Sequence, residues 1–241
     1  MTTALLFRDD AYLPVAEATV VAADEAGVVL DRTIFYATGG GQPGDTGHLE
    51  LADGSRLDVS EAVWADAEKT TVRLKLAADA APPTVGTTVV QHLDWARRYR
   101  LMRMHTALHL LSVALPYPVT GGQIGADEGR LDFDVAEGAI DREAATAWVR
   151  AAVDADHAVT TEWITDAELE ANPGLVKTMK VKPPMGSGRV RLVRIGTDVD
   201  LQPCGGTHVK STAEVGAVHI GKIESKGKIN RRVRLRFGDP A

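Results

Sequence analysis

Residues 94–116 read DWARRYRLMRMHTALHLLSVALP, and this stretch separates two differently patterned parts of the 241-residue chain. Asp94 is a suitable N-cap and Pro116 a stop signal, so the stretch predicts an amphipathic helix over residues 95–115. Its apolar stripe consists of Leu101, Met104, Leu108, Leu111 and Leu115. We place a domain boundary just before this helix, which gives an N-terminal domain of residues 1–92 and a second domain of residues 93–241.

The N-terminal part consists of short alternating apolar runs that are interrupted by turn residues. The dipeptide Asp53-Gly54 lies between two such runs and is typical of a hairpin turn. Short strands at this spacing predict a small antiparallel barrel or sandwich. The predicted strands are residues 18–22, 27–31, 33–36, 47–51 and 70–76.

The second part mixes helices and strands, which predicts an α+β domain. After the long helix we expect a loop containing Gly121, Gly122 and Gly125. A second helix is predicted from Arg142 to about residue 156, with Asp141 as its N-cap. The other predicted elements are strands at 130–134, 159–164, 189–195, 216–224 and 231–237 and one helical turn at 166–170.

The composition is that of a folded protein: 44% of the residues are hydrophobic and 25% are charged. The longest apolar run, residues 107–115, is far shorter than the roughly 20 residues that cross a bilayer, so we expect no membrane partner. The N-terminal residues show no export signal. Cys204 is the only cysteine and cannot form an internal disulfide. These features predict a cytoplasmic protein.

The charge is unevenly distributed along the chain. The net charge is −6, yet residues 177–236 contain 14 lysines and arginines against four acidic residues. The rest of the chain holds 13 basic and 29 acidic residues. This asymmetry indicates either a binding face for a polyanion or basic side chains that point outward from the C-terminal strands.

Two pairs of metal-ligating residues share a four-residue interval. His105 and His109 lie on one face of the predicted helix, and Cys204-Gly-Gly-Thr-His208 follows a predicted strand. Three imidazoles and a thiolate form a donor set that suits tetrahedral Zn²⁺. Four protein ligands would make a closed structural site, whereas three ligands and a water would make a catalytic one.

The same residues also allow an interpretation without metal, in which two helix-face histidines bond carbonyl groups and the thiol is buried and inert. A peptidase is disfavoured, because Thr106 stands where a His-Glu-x-x-His enzyme has its glutamate. Thr106 could hold a water or a substrate hydroxyl, or it could bond back to its own helix.

With both metal motifs in view, the chain resembles the editing domain of alanyl-tRNA synthetases and the free-standing AlaX proteins. The threonyl-tRNA synthetase editing domain shares only the two metal motifs. The resemblance covers nearly the whole chain, including the glycine-rich segment of residues 39–47 and the stretches 200–209 and 226–233. It implies the medium-length AlaX form, with a small antiparallel β-barrel domain followed by an α+β zinc-binding editing domain.

The resemblance further implies an ATP-independent, zinc-dependent deacylase that hydrolyses seryl-tRNA(Ala), and glycyl-tRNA(Ala) as a further substrate, while sparing alanyl-tRNA(Ala). The implied zinc ligands are His105, His109, Cys204 and His208, although a water can take the place of His208. The glycine-rich segment is implied to lie near the substrate pocket. Its candidate pocket residues are Gly39, Gly40, Gly41 and Asp45.

A site that hydrogen-bonds a hydroxyl rejects a substrate that lacks it, so Thr106 or Gln42 is the candidate for recognising the serine side chain. The basic C-terminal stretch is the candidate tRNA surface. The residues that we assign to it are Lys177, Lys180, Lys182, Lys226, Lys228, Arg231 and Arg232.

Three other functions stay open from the sequence. The same chemistry could act on another tRNA, such as seryl-tRNA(Thr). A closed zinc site could instead stabilise a non-catalytic tRNA-binding module, or the protein could be a metallohydrolase for small esters. The oligomeric state is not indicated by the sequence.

Overall fold

The computed structural model describes residues 2–135, 140–177 and 188–239. The chain forms two compact units, Met1–Tyr99 and Arg100–Ala241. This division falls inside the predicted long helix. That residues 1–92 form a barrel domain and residues 93–241 an editing domain stays a prediction. None of the helices within the described ranges is long and apolar enough to cross a membrane.

The first unit contains a closed six-stranded antiparallel barrel. Around the barrel the strand order is β2-β3-β7-β6-β5-β8, and β8 pairs back onto β2. The two short strands β1 and β4 form a separate parallel pair. The strands are β1 (Ala4–Leu5), β2 (Val15–Asp24), β3 (Gly27–Leu30), β4 (Arg32–Thr33), β5 (Gly47–Leu51), β6 (Arg56–Trp64), β7 (Val72–Leu76) and β8 (Thr88–Leu93).

The barrel encloses an apolar core to which alternate residues of each strand contribute. Leu49 of β5, Leu74 of β7 and Val89 of β8 are almost completely buried in it. The predicted strand of residues 33–36 was wrong beyond Thr33, because Ile34 and Phe35 enter the core from a loop. The predicted hairpin turn at Asp53-Gly54 joins β5 to β6. The bounds of β6 were not predicted, since charged and small residues interrupt its apolar positions.

The second unit contains most of the long helix, α1 (Trp95–Ala114). Its described residues also form two antiparallel sheets and two further α-helices. Strands β14-β15-β10-β9 form one sheet and β11-β12-β13 the other. The elements after α1 are β9 (Val119–Gln123), β10 (Glu128–Asp134), α2 (Arg142–Asp154), β11 (Val159–Thr165), α3 (Asp166–Ala171), β12 (Arg189–Ile195), β13 (Asp200–Pro203), β14 (Val218–Ser225) and β15 (Asn230–Phe237).

The predicted helix starts are confirmed by hydrogen bonds. The Arg97 amide donates to Asp94 Oδ1 at 3.1 Å, and the Ala144 amide donates to Asp141 at 2.9 Å. Both caps satisfy amides that have no partner inside their helix. The barrel and the α+β fold class are likewise confirmed.

The expected glycine loop at residues 121–125 was wrong in its first half, because Gly121 and Gly122 lie in β9 and pair with β10. A glycine of β10 also explains how α1 packs. A Cβ at Gly129 would lie 2.8 Å from Met104 Cγ, so a larger residue here would force the Met104 side chain to move. Helix α1 is therefore held against the sheet one residue before His105.

Candidate metal centre

Helix α1 supplies the first two candidate ligands, His105 and His109. Their four-residue spacing places both rings on one face of the helix, with centroids 5.2 Å apart. Both residues are buried, at 7% exposure each. The imidazoles therefore lie inside the unit rather than on its solvated surface.

The loop after β13 supplies the other two candidate ligands, Cys204 and His208. The buried guanidinium of Arg191 holds this loop by donating to the carbonyls of Cys204 and Gly206, at 2.9 and 3.0 Å. The Gly206 amide lies 3.4 Å from the Cys204 sulfur. These contacts fold the five-residue motif back on itself, so that its first and last side chains reach the same point.

The four donor atoms converge, since all of them lie within 4.8 Å of one another. Cys204 Sγ is 3.5 Å from His105 Nε2 and 3.3 Å from His208 Nε2. Ideal tetrahedral zinc, with bonds of about 2.3 Å to sulfur and 2.0–2.1 Å to nitrogen, separates these atoms by about 3.6 Å. The observed sulfur–nitrogen distances are therefore close to those of a tetrahedral zinc site.

Hydrogen bonds on the far side of two rings orient them toward the centre. His208 Nδ1 lies 3.1 Å from the Thr106 hydroxyl, and His109 Nδ1 lies 3.1 Å from Asp200 Oδ2. Partners at Nδ1 leave Nε2 available as the ligand atom, because the hydrogen bond at one ring nitrogen fixes which nitrogen can bind a metal. Thr106 is fully buried and also lies 3.4 Å from the Val209 amide, so its hydroxyl is engaged inside the site.

Asp200 is the centre of a buried polar network. Its side chain is 0% exposed. Oδ2 accepts from the side-chain Nε2 of Gln202 at 2.6 Å as well as contacting His109, and Oδ1 accepts from Lys177 Nζ at 2.6 Å. The lysine balances the charge of the carboxylate, which would be costly to bury alone.

At Cys204 and Asp200 the electrostatics favour the deprotonated forms that a metal centre requires. Burial raises the pKa of the Cys204 thiol, but the nearby imidazoles of His105 and His208 outweigh it and hold the pKa well below its usual range. Burial also raises the pKa of Asp200, yet the contacts with His109 and Lys177 lower it to about 2. A thiolate and a carboxylate are therefore the stable forms near neutral pH.

The pKa values of His109 and His208 shift in opposite directions. Burial lowers the pKa of His109, but Asp200 and Cys204 raise it to about 9. Burial and the nearby charge of His105 hold the pKa of His208 well below its usual range. An ion at this point therefore competes with a proton at His109, which is general for metal sites. The donor set of three imidazoles and one thiolate fits Zn²⁺.

Comparisons with known proteins identify the family. Residues 190–234 match the threonyl and alanyl tRNA synthetase second additional domain, and residues 9–97 match class II (A) tRNA synthetases. Over 260 residues the chain is 35% identical to the alanyl-tRNA editing protein AlaX-M of Methanosarcina mazei, with 100% of this chain and 98% of that protein covered. The chain belongs to the AlaX family of alanyl-tRNA editing proteins.

A second AlaX protein also matches over its whole length, whereas a full-length synthetase matches this chain over only part of its own length. The chain is 36% identical to AlaX-M of Methanosarcina barkeri, covering 99% of this chain and 100% of that protein. It is 35% identical to the alanine–tRNA ligase of Pyrobaculum arsenaticum, covering 91% of this chain but 25% of the ligase. The match thus runs over the whole length of the medium-length AlaX proteins.

The glycine-rich segment of this AlaX chain has a clear role within the barrel unit. Gly39 and Gln42 pair through their backbones at 3.0 and 2.9 Å, and Gly40 and Gly41 between them have φ values of 58° and 83°. Positive φ at both central residues is typical of a type I′ turn and favours glycine. Gln42 is buried. Its role and those of Gly39, Gly40 and Gly41 in a substrate pocket stay predictions.

Asp45 is part of the barrel's internal packing. Its carboxylate accepts from the Tyr36 amide at 2.6 Å and forms an ion pair with Arg98. Both side chains of the pair are 1% exposed. Arg98 also donates to the Ile34 and Ala11 carbonyls, at 2.7 and 2.9 Å. These contacts explain why an aspartate occurs at this position, while its assignment to the substrate pocket stays a prediction.

The basic stretch of this AlaX chain is less available than its charge count indicates. Arg232 forms two hydrogen bonds with Asp132 of β10, at 2.8 and 2.9 Å, and Lys226 pairs with Glu224 at 2.8 Å. Lys177 pairs with Asp200. The Arg231 guanidinium donates to backbone carbonyls of the β14–β15 turn, where Lys228 is exposed. Lys180 and Lys182 lie outside the described residues.

Sequence reasoning missed the groups that orient the ligands, namely Asp200, Gln202 and Arg191. A signal for two of them is present, because Asp200 and Gln202 are alternate polar residues on the short strand β13, which ends directly before Cys204. Alternate strand residues point to the same face. A polar pair directly before a candidate ligand therefore indicates a buried network beside that ligand.

Proposed function

We propose that this AlaX chain hydrolyses the ester bond of seryl-tRNA(Ala) in trans, acts on glycyl-tRNA(Ala) as well, and spares alanyl-tRNA(Ala). Its cofactor in this proposal is Zn²⁺, held by His105, His109, Cys204 and His208. The observation that carries the proposal is the convergence of these four donors in a chain that matches AlaX-M proteins along its whole length.

The reaction is ester hydrolysis and needs no ATP. Water adds to the carbonyl carbon, the bond to the terminal ribose oxygen breaks, and a free amino acid and a tRNA with a free hydroxyl group are released. When bound, a zinc ion supplies Lewis-acid polarisation or activates a water at neutral pH. The chain's own contribution is to orient the ligand nitrogens through Thr106 and Asp200 and to bury the site.

Discrimination against alanine is proposed to depend on a hydrogen bond to the serine hydroxyl. A buried polar group that is left without this partner penalises alanine, whose side chain cannot supply it. The candidates remain Thr106 and Gln42, and the contact of Thr106 with His208 supports a positioning role for Thr106 as well. If Thr106→Val and Gln42→Ala both leave the seryl-to-alanyl rate ratio unchanged, neither side chain is the discriminator.

The tRNA partner is proposed to contact the basic stretch, with the β14–β15 turn as its most available part. Lys228 and Lys226 are exposed in this turn, next to Arg231. Lysines and arginines that neutralise phosphates release counterions, so binding is expected to weaken steeply with salt. If tRNA binding does not depend on salt, these residues do not contact the phosphates and are ordinary solvated side chains.

The test is deacylation of seryl-, glycyl- and alanyl-tRNA(Ala), with seryl-tRNA(Thr) as a comparison substrate. We expect hydrolysis of the first two, little of the third, and loss of activity after metal removal or in Cys204→Ser. Preference for seryl-tRNA(Thr) would replace the tRNA assignment. Binding without turnover would instead indicate a non-catalytic module, and cleavage of small esters without RNA would indicate a general esterase.

A further inference from the structure

The barrel carries a second convergence of metal-ligating side chains, which is separate in sequence from the first. His48 and Glu50 lie two residues apart on β5, and His92 lies directly opposite His48 on β8. Their side chains point away from the core that Leu49 enters, since strand residues alternate. The three donor atoms lie within 4.8 Å of one another.

The contacts within this trio, His48–Glu50–His92, are incomplete without a further partner. His92 Nε2 is buried and 3.2 Å from Glu50 Oε2, but among the described residues it has no hydrogen bond of acceptable geometry. The rings of His48 and His92 are stacked, 4.5 Å apart and 3° from parallel. Buried polar atoms are nearly always satisfied, so an unsatisfied nitrogen beside a carboxylate needs an explanation.

We propose that the His48–Glu50–His92 trio binds a divalent transition-metal ion such as Zn²⁺, Ni²⁺ or Cu²⁺. Two imidazoles and one carboxylate are a donor set that these ions accept, and the exposed side leaves positions for water. Glu50 is 48% exposed and His92 26% exposed. One nitrogen of each imidazole can face the same ion after a ring rotates about its Cβ–Cγ bond, a torsion with a broad energy minimum.

The neighbouring charges set the strength expected of this site. Arg56 lies opposite Glu50 on β6 and would repel a cation, but it donates to Asp58 at 2.7 Å. Asp58 itself lies opposite His48. Because this site has three partly exposed donors and the buried centre has four, we expect it to bind zinc more weakly than the Cys204 centre.

The experiment is a Zn²⁺ titration of the metal-free, tag-free full chain against a chromophoric chelator. The wild type is expected to bind one tight equivalent and a second, weaker one. His48→Gln and His92→Gln should lose the weaker equivalent alone, while Cys204→Ser should lose the tight one alone. The matched control is His219→Gln, since His219 lies on β14 and its Nδ1 donates to the Gly238 carbonyl oxygen at 2.8 Å.

Nickel provides a residue-level readout in the same proteins. In the protein already loaded with one equivalent of Zn²⁺ at the tighter Cys204 centre, paramagnetic Ni²⁺ at low ratios should broaden the imidazole NMR signals of His48 and His92 but not that of His219. A wild type that binds only one zinc equivalent, or a second equivalent that survives both histidine variants, overturns the proposal. Because each site has its own variant, failure of the barrel site leaves the editing proposal intact, and failure at Cys204 leaves the barrel site intact.

Discussion

Replacing Asp200 by asparagine should weaken metal binding without changing the size of the side chain. In the native structure Oδ2 faces His109 and Oδ1 faces Lys177. Asparagine has one oxygen and one NH₂ group, so it cannot accept on both sides. If its NH₂ group faces His109, the ring must accept at Nδ1, so its proton moves to Nε2 and blocks the ligand atom. If the NH₂ group faces Lys177 instead, two hydrogen-bond donors oppose each other.

The magnitude follows from the position of Asp200 beside a ligand. Loss of a group that orients a metal ligand costs about 10–100-fold in metal affinity. This corresponds to about 1.4–2.8 kcal/mol at about 1.4 kcal/mol per tenfold change. The assay is competition for Zn²⁺ with a chelator at fixed pH, together with the visible spectrum of the Co²⁺-loaded protein, which reports the ligand geometry directly.

The matched control is Asp132→Asn, which removes the same charge from a carboxylate that pairs with Arg232 and Arg130 on the sheet. We expect this variant to bind zinc like the wild type. Circular dichroism of the metal-free proteins checks that both variants fold. An Asp200→Asn protein that folds and binds zinc as tightly as the wild type would refute the orienting role of the carboxylate.

Three further changes test separate parts of the structure. Thr106→Val removes the hydroxyl that contacts His208 and should lower zinc affinity by about tenfold, measured in the same competition assay. Asp45→Asn leaves the Arg98 guanidinium buried without its counter-charge and should destabilise the barrel by about 3–5 kcal/mol, measured by hydrogen exchange of barrel amides. Lys228→Ala should flatten the plot of log affinity for tRNA against log salt by about 0.7–0.9.

Two controls and their contrary outcomes complete these tests. As the control for Asp45→Asn, Asp58→Asn breaks the ion pair with Arg56, in which both side chains are 60% exposed, and it should lower the free energy of unfolding by less than about 1 kcal/mol. Equal stability losses in the two variants would contradict a special contribution from the buried Asp45–Arg98 pair. Arg232→Gln removes a guanidinium that Asp132 already neutralises, so it should change the salt slope less than Lys228→Ala. A larger change of the salt slope in Arg232→Gln than in Lys228→Ala would instead indicate that tRNA contacts the sheet at Arg232.

Local patterns were enough to predict the elements that hold the metal centre. The helical stripe and the caps at Asp94 and Asp141 predicted α1 and α2 to within two residues at their ends. The i, i+4 spacing of His105 and His109 fixed their common face, because this relation lies within one helix. Their meeting with Cys204 was inferred from residue chemistry, and the structure confirms that the side chains converge.

Relations between distant strands could not be predicted from a single stretch. Strand β9 was not predicted because glycines weaken its pattern, whereas its pairing with β10 supplies the missing stability. The charge of residues 177–236 was counted along the chain, but Glu128 and Asp132 of β10 lie opposite Arg236 and Arg232 and pair with them. Pairing across a sheet thus neutralises part of a stretch that is strongly basic in sequence.

The most direct test of the central claim is X-ray absorption at the zinc edge of the chain loaded with one equivalent of Zn²⁺. We expect one sulfur at about 2.3 Å and nitrogens at about 2.0–2.1 Å, with the sulfur lost in Cys204→Ser. The number of nitrogens also shows whether His208 or a water completes the site. A shell of nitrogen and oxygen alone in the wild-type protein would contradict a metal centre built on Cys204 and the three histidines.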